Sequence, residues 1–162
     1  MYSYHHSFRL EGLGTAALRP RYNGHGVIPY QTKTTTLAGT SYSEVYRVAR
    51  RCCSDIAHTT RRKPYVRSAY FRKEKVFLDL FWSHLHAKTP RDRFRRLKYY
   101  AAALDLLRHG RNPPAAKPNP NRLGEVLHRF AGLTKDRELF FVQVKESVRT
   151  HRKDFLSCFP AE

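Results

Sequence analysis

Four prolines fall within the eleven residues Arg111–Asn121, RNPPAAKPNPN, and no helix can run through such a segment. It reads as a stiff connector, and the hydrophobic period changes across it. Before it, apolar residues recur at about 3.6; after it they alternate at about 2. A helical section followed by a strand section is α+β in class, with basic helices first and a small antiparallel sheet after them.

The first helix has a clear start. Ser41-Tyr42-Ser43-Glu44 is a capping box, with Ser41 as N-cap and Glu44 reaching back. Val45, Val48, Ala49, Cys52 and Ile56 form its apolar stripe, which fades near His58. A second helix is predicted over 73–87, with Phe77, Leu80, Phe81, His84 and Leu85 facing the core. A third opens at Thr89-Pro90-Arg91-Asp92, with Thr89 capping and Pro90 in the first helical position, and stops at Gly110. Its buried stripe is Phe94, Leu97, Ala101 and Leu104. Beyond the connector, 125–130, 139–145 and 154–159 read as strands, and 132–137 as a hairpin loop. Residues 1–40, rich in glycine and without a sustained period, read as an irregular basic arm ahead of a single α+β domain, 41–162. Within that domain, 41–110 is the basic helical part and 122–160 the sheet part.

The chain carries 31 Lys and Arg against 13 Asp and Glu, a formal charge of +18. Before Asn121 the count is 23 against seven; after it, eight against six. An excess of this size in a chain with ten Phe and ten Tyr belongs to a folded protein with an anionic partner, for which nucleic acid is the first candidate. With no apolar run long enough to span a bilayer and no secretory leader, a cytoplasmic protein without membrane contact is expected. The densest basic groups are Arg61, Arg62 and Lys63, and then Arg91, Arg93, Arg95, Arg96 and Lys98; Arg122 follows the connector. They read as phosphate contacts or, in the blander alternative, as solvated surface. Tyr65, Tyr70, Tyr99 and Tyr100 lie near them, as core residues or as stacking partners for unpaired bases.

Cys52, Cys53 and Cys158 have neither zinc-ligand spacing nor a disulfide count. No GxxxxGK[ST] loop, no HExxH and no acidic cluster is present, so nucleotide hydrolysis and two-metal cleavage are not indicated, and neither metal nor cofactor is expected. A nuclease on this chain would work without metal.

Strand alternation sorts the remaining polar residues. Val126, His128 and Phe130 share one face; Glu125, Leu127 and Arg129 share the other. His128 between apolar neighbours suits proton transfer near neutrality or is a structural histidine on a half-buried strand. Gln143 and Lys145 lie together on the next strand, either on a solvent face or lining a site where Lys145 holds phosphate. Ser157 alternates with Phe155 and Phe159, which points its hydroxyl to one face.

The patterns Val76-Phe77-Leu-Asp-Leu-Phe-Trp82, Asn119-Pro-Asn-Arg122-x-x-Glu125-x-Leu-His128-Arg129-Phe-x-Gly132-x-Thr134-Lys-Asp136, Phe141-Val-Gln143-Val-Lys145-Glu146 and Phe155-x-Ser157-x-Phe159-Pro160 resemble nuclease domains borne by phages and mobile elements. Those domains group with the barnase, EndoU, colicin and RelE-like ribonucleases. The resemblance covers roughly 70–160 and implies helices followed by a curved antiparallel sheet. It also implies metal-independent RNA cleavage, in which a 2′-hydroxyl attacks the adjacent phosphate. Carried over, His128 or Arg129 is the active residue of the first strand, with Thr134, Gln143, Lys145 and Ser157 in support. The partners it implies are RNA, tRNA among the candidates, and an acidic antitoxin or immunity protein. The rival expectation is a nucleic-acid-binding protein of a mobile element with no catalytic role.

Overall fold

A computed structural model describes residues 26–162. The first 25 residues of the expected arm lie outside this range. The order is β1 (Tyr30–Gln31), α1 (Tyr42–Thr59), β2 (Tyr65–Arg67), β3 (Lys75–Phe77), α2 (Asp79–His86), α3 (Pro90–Leu97), α4 (Tyr100–His109), β4 (Ala115–Pro118), β5 (Glu125–Leu133), β6 (Leu139–Ser147) and β7 (Lys153–Pro160). The class is α+β. All seven strands form one sheet, mostly antiparallel and curled, in the order β1-β5-β6-β7-β3-β2, with β4 also paired to β5.

Both sequence-read caps are present. The Ser41 hydroxyl accepts from Glu44 N–H while the Glu44 carboxylate accepts from Ser41 N–H, at 3.4 and 3.2 Å. The Thr89 hydroxyl accepts from Asp92 N–H at 3.3 Å, with Pro90 next in the chain. Elsewhere tertiary pairing overrides local period. Residues 75–77, expected to begin a helix, form β3, because Val76 is fully buried and the segment pairs in parallel with Lys153–Asp154 of β7. The helix proper starts only at Asp79. The single helix expected from Pro90 to Gly110 is two. At the break the Lys98 carbonyl accepts from Leu37 N–H at 2.8 Å, and the Lys98 ammonium donates to the Leu37 and Gly39 carbonyls.

The connector is partly a strand. Ala115–Pro118 pairs antiparallel with Val126–Arg129, and Pro118 is tolerated because β4 is an edge. Tyr30–Gln31 pairs in parallel with Gly132–Leu133, so β4 and β1 cover successive halves of the same edge of β5. The segment ahead of Ser41 is thereby packed into the domain from Tyr30 onward, with Leu37 buried. Nor are the helices uniformly basic. Four arginines against one aspartate sit on α3, α2 has no Lys or Arg, and α4 has one Arg and one Asp.

The helices pack on one face of the sheet. Phe81 stacks on Phe155 at 4.8 Å between ring centroids, with Tyr100 and Trp82 around them. Val142, Val144 and Phe140 complete this face from β6, all fully buried. Among the described residues no helix is long and apolar enough to cross a membrane.

Candidate functional site

Among the described residues no helix packs over the other face of the sheet, which holds a cleft of about 540 Å³. Pairing register explains its floor. Arg129, Gln143 and Ser157 are successive Cα partners on β5, β6 and β7, so three of the sequence-read candidates form a single row. Lys145 lies in the next row, between Leu127 and Asp154. Ser157 reaches this face through a bulge: one step on β6, Gln143 to Val144, spans two on β7, Ser157 to Phe155. Simple alternation put Phe155 on the Ser157 side, but the extra residue, Leu156, turns Phe155 into the helical core and leaves Ser157 and Phe159 opposite.

One wall comes from the helices. At the edge of β7, the Cys158 thiol contacts the Arg96 carbonyl at 3.2 Å and holds α3 there. The Arg96 guanidinium then turns onto the open face, donating to Ser157 Oγ at 2.7 Å and pairing with Asp92 at 3.1 Å. Arg96 lies 5.3 Å from the Phe159 ring centroid and Arg129 lies 5.5 Å from it, so one aromatic ring carries two guanidinium groups. Among the described residues Arg129 has no carboxylate within ion-pair distance. Lys145, by contrast, is paired with Glu125 at 3.1 Å, and Asn119 donates to the same carboxylate at 2.8 Å. Burial works to raise the Glu125 carboxyl, yet these bonds outweigh it and hold it below the usual range.

His84 and Lys88, from α2 and the turn after it, also line the cleft. Burial lowers the His84 pKa first, and the neighbouring charges of Lys88 and Arg96 lower it further, so the protonated imidazole is disfavoured. Sequence periodicity placed His84 on a core stripe; nothing local distinguishes a half-buried histidine that ends in a cleft from one that ends in a core.

His128 lies on the opposite, helix-covered face. Its Nε2 is 2.7 Å from Glu146, its ring meets Phe71 edge-on at 5.1 Å, and its Nδ1 is buried without a partner. Glu146 also pairs with the buried Lys153 at 3.3 Å. Thr134 is fully buried in the β5–β6 turn, where its hydroxyl accepts from Glu138 N–H at 3.0 Å and its carbonyl from Gln31. The structure therefore brings Arg129, Gln143, Lys145 and Ser157 together and separates His128 and Thr134 from them.

The basic groups divide likewise. Arg61, Arg62, Lys63, Arg91, Arg95 and Arg122 are exposed. Arg93 is spent on the His86 and Lys88 carbonyls, at 2.6 and 2.8 Å, and Lys98 on those of Leu37 and Gly39. Tyr99 and Tyr100 are core residues, whereas Tyr65 is half-exposed.

A hollow of about 600 Å³ between α1, α4 and residues 33–34 is larger but electrostatically occupied. Its Asp105 carboxylate accepts from Lys33 N–H and Thr34 and pairs with His109. Among the described residues no three His, Cys, Asp or Glu side chains stand together in a way that could hold a metal ion. Comparisons with protein-family models, curated proteins and solved structures give no match for this chain.

Proposed function

We propose that the protein is a metal-independent endoribonuclease whose reaction centre is the open-face cleft. One observation carries the reading: Arg96 and Arg129 both stand against Phe159 in a cleft that is also lined by His84. Two guanidiniums in one pocket fit a phosphodiester, since each can donate a pair of bonds to its non-bridging oxygens. The charge of +18 supports an anionic polymer as the substrate.

In the proposed reaction, a ribose 2′-oxygen bonds to the adjacent phosphorus as the bond from phosphorus to the 5′-oxygen breaks. The products are a 2′,3′-cyclic phosphate and a 5′-hydroxyl. His84 takes the proton of the attacking hydroxyl, and the departing oxygen takes one from water in the open cleft. Arg96 and Arg129 stabilise the negative charge that grows on the phosphorane oxygens. Ser157, bonded to Arg96, holds that guanidinium in place.

The test is incubation with total RNA in EDTA, followed by sequencing of the new ends. Cleavage leaving cyclic or 3′-phosphate ends supports the proposal, with His84→Ala slowing it about 10² to 10⁴-fold and leaving binding intact. If His128→Ala abolishes cleavage and His84→Ala does not, the centre belongs to the His128–Glu146 pair instead. Folded wild-type protein that binds RNA but cuts none of a broad panel is a nucleic-acid-binding protein without catalysis.

A further inference from the structure

We infer that the open face carries a second site beside the cleft, a stacking platform on Tyr65 and Phe77 that takes a single-stranded stretch of RNA. This rests on the reading of the cleft as an RNA site and states which RNA it takes, an unpaired strand.

The platform follows from alternation in a short hairpin. Val66 and Val76 turn into the core, at 3% and 0% exposure, so Tyr65, Arg67, Lys75 and Phe77 all project from the opposite side. That side is the open face. Phe77 is the Cα partner of Asp154, and Asp154 is the partner of Lys145 in the cleft. A single row thus runs Lys145, Asp154, Phe77, Tyr65 across four adjacent strands, and three strand spacings put Tyr65 about 14 Å from Lys145.

The two rings meet edge to face at 6.0 Å. Lys75 Nζ stands 4.6 Å and Arg67 5.7 Å from the centre of the Tyr65 ring, and Arg152 stands 4.2 Å from that of Phe77. The exposed Arg61-Arg62-Lys63 run leads directly into β2. Nearby acids are few and mostly engaged: Asp154 is bound by Arg152 and Glu74 by Lys153, leaving Asp79 at the start of α2. Half-exposed rings beside Lys75 and Arg67, which have no ion-pair partner among the described residues, match the alternating bases and phosphates of an unpaired strand. A duplex offers the same phosphates but keeps its base faces stacked inside, and an acidic peptide offers charge without planar faces.

The experiment is fluorescence anisotropy with a 2′-O-methyl oligouridylate of about twelve nucleotides, a length within the usual span of such sites. The methyl group blocks the attacking oxygen, so binding is read without cleavage. A duplex of the same length is the comparison. The single strand should bind at least about tenfold tighter than the duplex, and Tyr65→Ala should remove about tenfold from single-strand affinity alone. Tyr65→Trp should restore it. The salt dependence should be unchanged in Tyr65→Ala, which removes no charge, and shallower in the Arg67→Ala, Lys75→Ala double variant. Equal affinity for both forms, or a Tyr65→Ala protein that is folded and binds normally, overturns the platform. So does Tyr65-dependent binding to phosphatidylglycerol vesicles without any to the oligouridylate, which would make the surface a lipid contact. Cleavage that ignores Tyr65 in a protein without single-strand preference sinks the platform only. Tyr65-dependent binding by a protein that cuts nothing keeps the platform and sinks the proposed cleavage.

Discussion

Burial, then Lys88 and Arg96, disfavour the protonated form of His84 and lower its pKa. A base of this kind works above its own pKa, so the acid limb of the cleavage profile should fall below the ordinary histidine value of 6.5. Lys88→Ala removes one of the two nearby charges and should move that limb to higher pH; a limb that does not move removes His84 from the reaction. Glu146 behaves oppositely on the far face. Burial would raise its carboxyl, but the bonds to His128 and Lys153 prevail and hold it below 4.5. A carboxyl depressed in the folded state contributes its stability fully above the unfolded value and loses it as pH falls through the folded one. Unfolding free energy should therefore be steady from neutrality to about pH 4.5 and drop below it, with Glu146→Gln less stable at pH 7 and flatter in acid. Denaturant titrations over that range test this. His128→Ala should cost about 1–3 kcal/mol in the same assay, as the loss of a mostly buried polar contact.

At the scale of elements, β5 carries the most constraint. Its cleft-facing row includes Arg129, both halves of its outer edge are covered by short strands, and its far end has no room for a side chain. A Cβ at Gly132 would lie 2.5 Å from the Phe140 ring and 2.7 Å from Leu106, so the residue is glycine because α4 and β6 meet there. Gly132→Ala should destabilise the protein by about 1–3 kcal/mol through overpacking, read as a lower melting temperature. A neutral result would mean that Phe140 yields freely. The α3–α4 break was hidden in a sequence whose period continues across it, because its cause lies sixty residues upstream, in the carbonyls of Leu37 and Gly39. The caps at Ser41 and Thr89, by contrast, were legible since each is complete within four residues.

At the scale of the whole molecule, the reach of the N-terminal segment matters most. A chain beginning at Ser41 loses the pairing of β1 with β5, the burial of Leu37 and both acceptors of the Lys98 ammonium. Removal of one large buried aliphatic group alone costs about 2–5 kcal/mol, so the shortened protein should melt well below the full chain. Equal melting temperatures would make 30–40 an accessory. Charge also acts at this scale. Of the dense basic runs, Arg61-Arg62-Lys63 and the exposed Arg91 and Arg95 are free for an anionic partner, while Arg93 and Lys98 are consumed in holding loops.

The sequence by itself determined the class, the two capped helix starts, the three long strands, and the face on which each residue of β5 and β6 lies, because periodicity and capping are local properties of the chain. Hence the shared face of Gln143 and Lys145, and the separation of Arg129 from His128, were legible. The tertiary structure alone decided that β1, β2, β3 and β4 exist, since two-to-four-residue strands are stabilised by their partners in the sheet. It also decided that the bulge at Leu156 places Ser157 in the row of Arg129, that α2 delivers His84 to the same cleft, and that His128 lies on the opposite face against Phe71. Each of these depends on which segments pack together, and a hydrophobic period records only that a residue is covered, not by what.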